Sequence, residues 1–139
     1  MSGTKKTDLT ILGHNVKNLP KRPGSAKLET FKNQFPKRNY EISVDCPDFT
    51  SLCPVTGQPD FARLAIAYVP NKLCVETKSL KIYLNAFRNS PSFNEEIVNR
   101  ILEDLVKAVS PRKMKVVGSF VPRGGISLTI SAEHPDPGV

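Results

Sequence analysis

From Tyr40 onward the chain alternates. Tyr40, Ile42, Val44 and Cys46 interleave with Glu41, Ser43 and Asp45. A period of two predicts a strand with one wet face, and Pro47 is expected to end it. The stretch from Pro47 to Asp60 has no period and contains three prolines and Gly57. An irregular segment of that length inside a compact domain is often a functional loop. Phe61–Val69 predicts a second strand, with Leu64, Ile66 and Tyr68 on one face, and Pro70-Asn71 predicts a turn. The period then changes. Leu80, Tyr83, Leu84 and Phe87 recur at helical spacing. After Pro91, a second apolar stripe runs through Ile97, Val98, Ile101, Leu102, Leu105 and Val109, closed by Pro111. Val116, Gly118 and Phe120 predict a third strand, and Ile126, Leu128 and Ile130 a fourth, with Val121–Gly125 as the turn between them. The order is ββααββ. Grouped strands around grouped helices indicate an α+β fold, an antiparallel four-stranded sheet with two helices on one face.

Length and charge divide the chain. Its 139 residues suit one domain, and a hydrophobic share of 39% suits a modest core. The net charge of +7 lies entirely in residues 1–38, which hold nine Lys or Arg against Asp8 and Glu29. The expected organisation is a basic N-terminal arm over 1–38, a single catalytic domain over 39–134 and a tail over 135–139. A basic arm can contact nucleic acid or pack on a neighbouring subunit. It has only Phe31 and Phe35 as stacking platforms and no RNA-binding signature, so direct nucleic-acid binding is not expected. No apolar run is long enough for a membrane span. Met1–Thr10 lacks the apolar stretch of a signal peptide, and three cysteines then point to reduced thiols in the cytoplasm.

Four places carry chemistry. In Phe49–Phe61, a thiol at Cys53 precedes a carboxylate at Asp60 by seven residues. A thiolate is a strong nucleophile for an electrophilic carbon, and a nearby carboxyl can deliver a proton to the anion that results. Cys53 can equally be a small buried hydrophobe and Asp60 a turn residue. In Val75–Tyr83, Lys78 and Lys81 share a face near a helix start, where they oppose the macrodipole unless an anion sits there. Two lysines pointing into water fit the spacing as well. Ser92-Phe93-Asn94-Glu95 reads as a capping box, which gives Glu95 a structural reason, although a carboxylate there can also grip a purine-like base. Pro122-Arg123-Gly124-Gly125 suits a hairpin and also exposes backbone N–H groups beside a cation. Cys46, Cys53 and Cys74 have no C-x-x-C spacing and His14 and His134 lie near opposite ends, so no metal site is expected. No G-x-G-x-x-G occurs, which excludes a Rossmann-type dinucleotide turn.

Together these segments resemble the 7-cyano-7-deazaguanine reductases, the QueF family of nitrile reductases. The resemblance runs from about Phe35 to Ser127 and rests on Phe49–Pro54, Thr56–Phe61, Glu76–Tyr83, Phe87-Arg88-Asn89 and Pro122–Ser127. It implies a tunnelling fold (T-fold) whose subunits join into an oligomeric barrel with sites between subunits. It implies NADPH-dependent reduction of a nitrile to a primary amine in queuosine synthesis for transfer RNA. By this resemblance Cys53 adds to the nitrile carbon to form a thioimide and Asp60 donates the proton. Val75, Glu76, Thr77, Asn94 and Glu95 border the substrate, while Lys78, Lys81 and Arg123 meet the cofactor's phosphates. The chain departs from the family at Asn94, where His is common; Asn can hydrogen-bond but cannot carry a proton charge near pH 7. Thr77 and Ile82 also differ from the usual lysine motif. Two rivals remain: a relative that turns the nitrile on transfer RNA into an amidine with ammonia, and a non-catalytic RNA-binding module led by the arm.

Overall fold

The computed structural model describes residues 19–138. Most of the expected basic arm, up to Asn18, lies outside the described residues. The elements are β1 (Thr30–Lys32), β2 (Ile42–Leu52), β3 (Pro59–Val69), β4 (Leu73–Val75), α1 (Thr77–Asn85), α2 (Asn94–Val109), β5 (Lys113–Arg123) and β6 (Ile126–His134). Four long strands form one antiparallel sheet in the order β2-β3-β5-β6, and β1 and β4 form a separate two-stranded ladder. The described residues form an α+β fold of two α-helices and antiparallel sheets. The two short strands are additional to the expected order. Three residues each carry no readable period, and β1 falls in the segment expected to be arm.

The alternation in β3 decides which face is inside. Leu64, Ile66 and Tyr68 are buried, whereas Phe61, Arg63 and Ala65 face out. β5 answers with Met114, Val116, Gly118 and Phe120 buried. α2 lays its apolar stripe of Ile97, Val98, Ile101, Leu102, Leu105 and Val109 on this face. Each of those side chains contributes about 1.5–3 kcal/mol by leaving water. The approach is closest at Gly118, where an added Cβ would meet Val98 Cγ2 at 2.8 Å and Phe120 Cε1 at 3.0 Å. α1 is anchored by aromatic rings. Phe87 contacts Phe49 with centroids 5.6 Å apart and Tyr83 edge-on at 5.4 Å. The Tyr83 hydroxyl donates to Asp104 Oδ2 of α2 at 2.6 Å. Burial and that carboxylate both push the Tyr83 phenol far above its ordinary pKa, so it remains a donor.

Pro47 does not end β2. The β2–β3 pairing shifts register between Cys46 and Phe49 and then continues to Leu52 opposite Pro59. β2 is an edge strand, so a residue without an N–H is tolerated there, and the bulge absorbs the proline. The expected long loop therefore shrinks to residues 53–58, held between two strand ends. A second register shift, between Phe120 and Arg123, marks the end of β5. The hairpin closes through Gly124 (φ +59°) and Gly125 (φ +80°), left-handed conformations that glycine adopts without strain.

Candidate active site

The short loop folds around its own cysteine. Cys53 N donates to Gln58 O at 2.8 Å, and Gly57 N donates to Cys53 O at 2.9 Å, with Gly57 left-handed at φ +72°. This turn aims the Thr56 hydroxyl and the N–H groups of Thr56 and Val55 at the Cys53 sulfur. Their hydrogen bonds lower the thiol pKa, against smaller opposing effects of desolvation and the Asp60 charge. The thiolate is thus favoured at a half-exposed position. Cys46 has the opposite character, since burial pushes its thiol up. Cys74 is buried beside the Tyr40 hydroxyl.

Asp60 opens the buried side of β3, directly opposite Ser51. Its side chain is 10% exposed, and Oδ1 accepts from Arg123 Nε at 2.6 Å. The same guanidinium donates through Nη1 to Gln58 Oε1 at 3.0 Å and through Nη2 to Pro59 O. Arg123 thereby ties the end of β5 to the loop that carries Cys53. The structure brings Cys53, Asp60 and Arg123 to one end of the sheet.

The start of α2 reaches the same end. Leu52 N donates to Ser90 O at 3.4 Å and Ser92 N donates to Leu52 O at 3.2 Å, so the connection between the helices runs along the last residue of β2. This pairing displaces the expected capping box. The N-cap is Phe93 and has no side-chain cap; Asn94 is already helical. Glu95 loses the capping explanation and is exposed, with no side-chain partner among the described residues. Its charge still suits the first helical turn. Asn94 Oδ1 and the fully buried Ser51 Oγ are both shielded from solvent without a hydrogen-bond partner among the described residues.

The remaining expected residues lie elsewhere. Val75 is buried, and its N–H donates to the Tyr68 hydroxyl at 3.1 Å. Glu76 caps α1: Oε2 accepts from Lys78 N at 2.9 Å and Oε1 from Ser79 N at 2.7 Å. The anion that the helix start calls for is therefore supplied by the chain itself. Thr77 and Lys81 are exposed and Lys78 is half-buried. This group sits at the Tyr68 end of β3, and Asp60 is eight residues away on the same strand, about 26 Å at the rise of an extended chain. One subunit does not bring the two groups together.

Three contributors went unassigned in the sequence: Ser51, Thr56 and Gln58. Each lies in the block around Cys53, but only the turn reveals that Thr56 serves the sulfur and Gln58 serves Arg123. As for the cofactor, Lys78 and Lys81 offer cationic side chains one helical turn apart, which fits a phosphate-bearing group. Arg123 is engaged by Asp60, and the α1 N–H groups are engaged by Glu76.

A family profile described as QueF-like protein matches residues 59–138. The chain is 51% identical over 116 residues to the NADPH-dependent 7-cyano-7-deazaguanine reductase of an Anaeromyxobacter species, spanning 84% of this chain and 94% of that protein. It is 53% identical over 107 residues to the protein of the same name from Chloroherpeton thalassium, spanning 77% and 92%. With that from Syntrophus aciditrophicus it shares 50% over 130 residues, spanning 94% and 89%. The crystal structure of the archaeosine synthase QueF-Like in the apo form superposes with a TM-score of 0.63 at 22% identity, over 67% of this chain and 91% of that one, a likeness of fold. The profile begins at the strand that carries Asp60 and runs through both helices to the end of β6, and relatives about half identical cover most of the rest: the chain belongs to the QueF-like protein family.

Proposed function

We propose that this protein reduces the nitrile of 7-cyano-7-deazaguanine to 7-aminomethyl-7-deazaguanine with NADPH, as part of queuosine synthesis. The observation that carries the reading is the Cys53 turn, whose donors favour a thiolate beside the buried carboxyl of Asp60. The names of the half-identical relatives supply the substrate and the cofactor.

The chemistry follows from the residues. The Cys53 sulfur adds to the nitrile carbon, one C–N π bond opens, and the thiol's proton passes by way of the Asp60 carboxylate to the nitrogen; the product is a thioimide with nothing expelled. NADPH would supply one hydride per molecule, two in all, and the C–S bond would break to return Cys53 as the carbon reaches the amine. Lys78 and Lys81 would hold its phosphates. Glu95 meets the two N–H donors of the base edge. Asn94 Oδ1, a buried acceptor without a partner, carries a cost of about 1–3 kcal/mol that a ligand donor would remove. The two residue groups at opposite ends of β3 support a site shared between copies of the chain in an oligomeric barrel. Among the described residues the sheet edge at β6 is open and the edge at β2 is covered at Leu52 by the Ser90–Ser92 connection, and Phe61 and Val121 are exposed apolar residues near the bulged end. The absence of a long apolar helix among the described residues and the three free cysteines are compatible with the cytoplasm.

The test is loss of NADPH absorbance with 7-cyano-7-deazaguanine as the only added substrate. Turnover at a stoichiometry of two NADPH per nitrile supports the reading. Amidine formation from ammonia without NADPH use would replace it.

A further inference from the structure

We propose that Arg123 is a positioning residue that acts through Asp60, rather than a ligand of the cofactor's phosphates. The inference rests on the reading of Asp60 as the proton donor and assigns Arg123 to the same step. Its basis is geometric. All three nitrogens of the guanidinium are committed within one subunit: Nε to the Asp60 carboxylate at 2.6 Å, Nη1 to Gln58 Oε1 at 3.0 Å, and Nη2 to Pro59 O. The partners are consecutive residues, Gln58, Pro59 and Asp60, that connect the nucleophile's turn to the acid's strand. A planar fork with fixed donors holds such a set far better than an ammonium. The register shift between Phe120 and Arg123 marks the strand end from which this side chain reaches β3.

The pairing has an electrical consequence. The negative charge of Asp60 disfavours the Cys53 thiolate, and Arg123 pairs with that charge at 2.6 Å. Arg123 therefore influences Cys53 by compensating Asp60. It also occupies Oδ1, which leaves Oδ2 for the substrate nitrogen. A cofactor phosphate could meet only the two N–H donors that these three bonds leave on the guanidinium.

A double-mutant cycle separates the two roles. Full-length wild type, Arg123→Ala, Asp60→Asn and the double variant are treated with iodoacetamide near neutral pH, and alkylation of Cys53 is followed by peptide mass. Iodoacetamide is uncharged, and the thiolate displaces iodide from it. Loss of Arg123 should slow Cys53 alkylation at least about threefold, equal to half a pKa unit. Asp60→Asn should accelerate it, and adding Arg123→Ala to Asp60→Asn should change nothing further. In parallel, Arg123→Ala should slow the covalent adduct with 7-cyano-7-deazaguanine in the absence of NADPH, and Arg123→Lys should recover part of that rate. Equal slowing of alkylation in both backgrounds overturns the proposal. So does a normal adduct rate combined with a raised KM for NADPH. Should Arg123→Ala fail to fold, Arg123→Lys in the two backgrounds decides the same question. Failure of the wild type to form any adduct with the nitrile would remove the functional reading, while the alkylation cycle would still report on the Arg123–Asp60 coupling.

Discussion

At Cys53, three donors from a single turn converge on one sulfur and lower its pKa. A lowered thiol pKa places more thiolate at neutral pH, so removing a donor should raise the pKa and slow the thiol. Thr56→Val is expected to cut the alkylation rate of Cys53 near pH 7 by about twofold to tenfold, measured against unchanged Cys46 and Cys74. Mixing the protein with 7-cyano-7-deazaguanine alone should yield a species heavier by the whole nitrile. Cys53→Ala should abolish it while Cys46→Ala and Cys74→Ala retain it, and an adduct surviving in Cys53→Ala would mean another thiol. At the start of α2, Glu95→Gln should raise the KM for the nitrile by about tenfold, equal to 1.4 kcal/mol. Its side chain bonds to nothing among the described residues, so the melting temperature should hardly move. A loss of Tm with normal KM would assign Glu95 to the helix alone. Cys53, Asp60 and Glu95 could be singled out as candidates by residue type and spacing, with a structural reading open for each. Thr56 and Gln58 could not, because a hydroxyl and an amide acquire a role only through the turn that aims them.

Among the elements, α1 shows how two readings of one residue can be separated. Glu76 caps the helix with both carboxylate oxygens and offsets two lysines that oppose the macrodipole. Glu76→Ala should destabilise the fold by about 1–2 kcal/mol, a fall of several degrees in Tm by calorimetry. If nitrile affinity collapses while Tm holds, the carboxylate belongs to the substrate instead. The strand and helix periods of β3 and α2 were readable because one face of each is buried for its full length. The path of β2 was not. Pro47 looks like a stop in one dimension and becomes a bulge only when β2 is known to be the sheet's edge. Ser92 misled for a related reason: Ser-x-x-Glu is a local signal, and the backbone bonds between Leu52 and the Ser90–Ser92 connection, 38 residues distant at their closest, outweigh it. The strands β1 and β4 exist only as each other's partners and leave no pattern to read.

At the scale of the molecule, Lys78 and Lys81 and the reactive thiol occupy different regions of one subunit. Lys78→Ala or Lys81→Ala should raise the KM for NADPH more than the KM for the nitrile. Equal effects on both would remove the lysines from the cofactor. The distance along β3 between Asp60 and the Tyr68 end, spanned by a rigid and paired strand, has a further consequence. If a working site takes its thiol from one copy and its lysines from another, the two defects are carried by separate halves and can be sorted apart. A Cys53→Ala chain and a Lys78→Ala/Lys81→Ala chain, each inactive alone, should complement one another once unfolded together and reassembled. In an equal mixture with random pairing, about a quarter of the sites would receive both intact halves, and roughly that share of wild-type turnover should return.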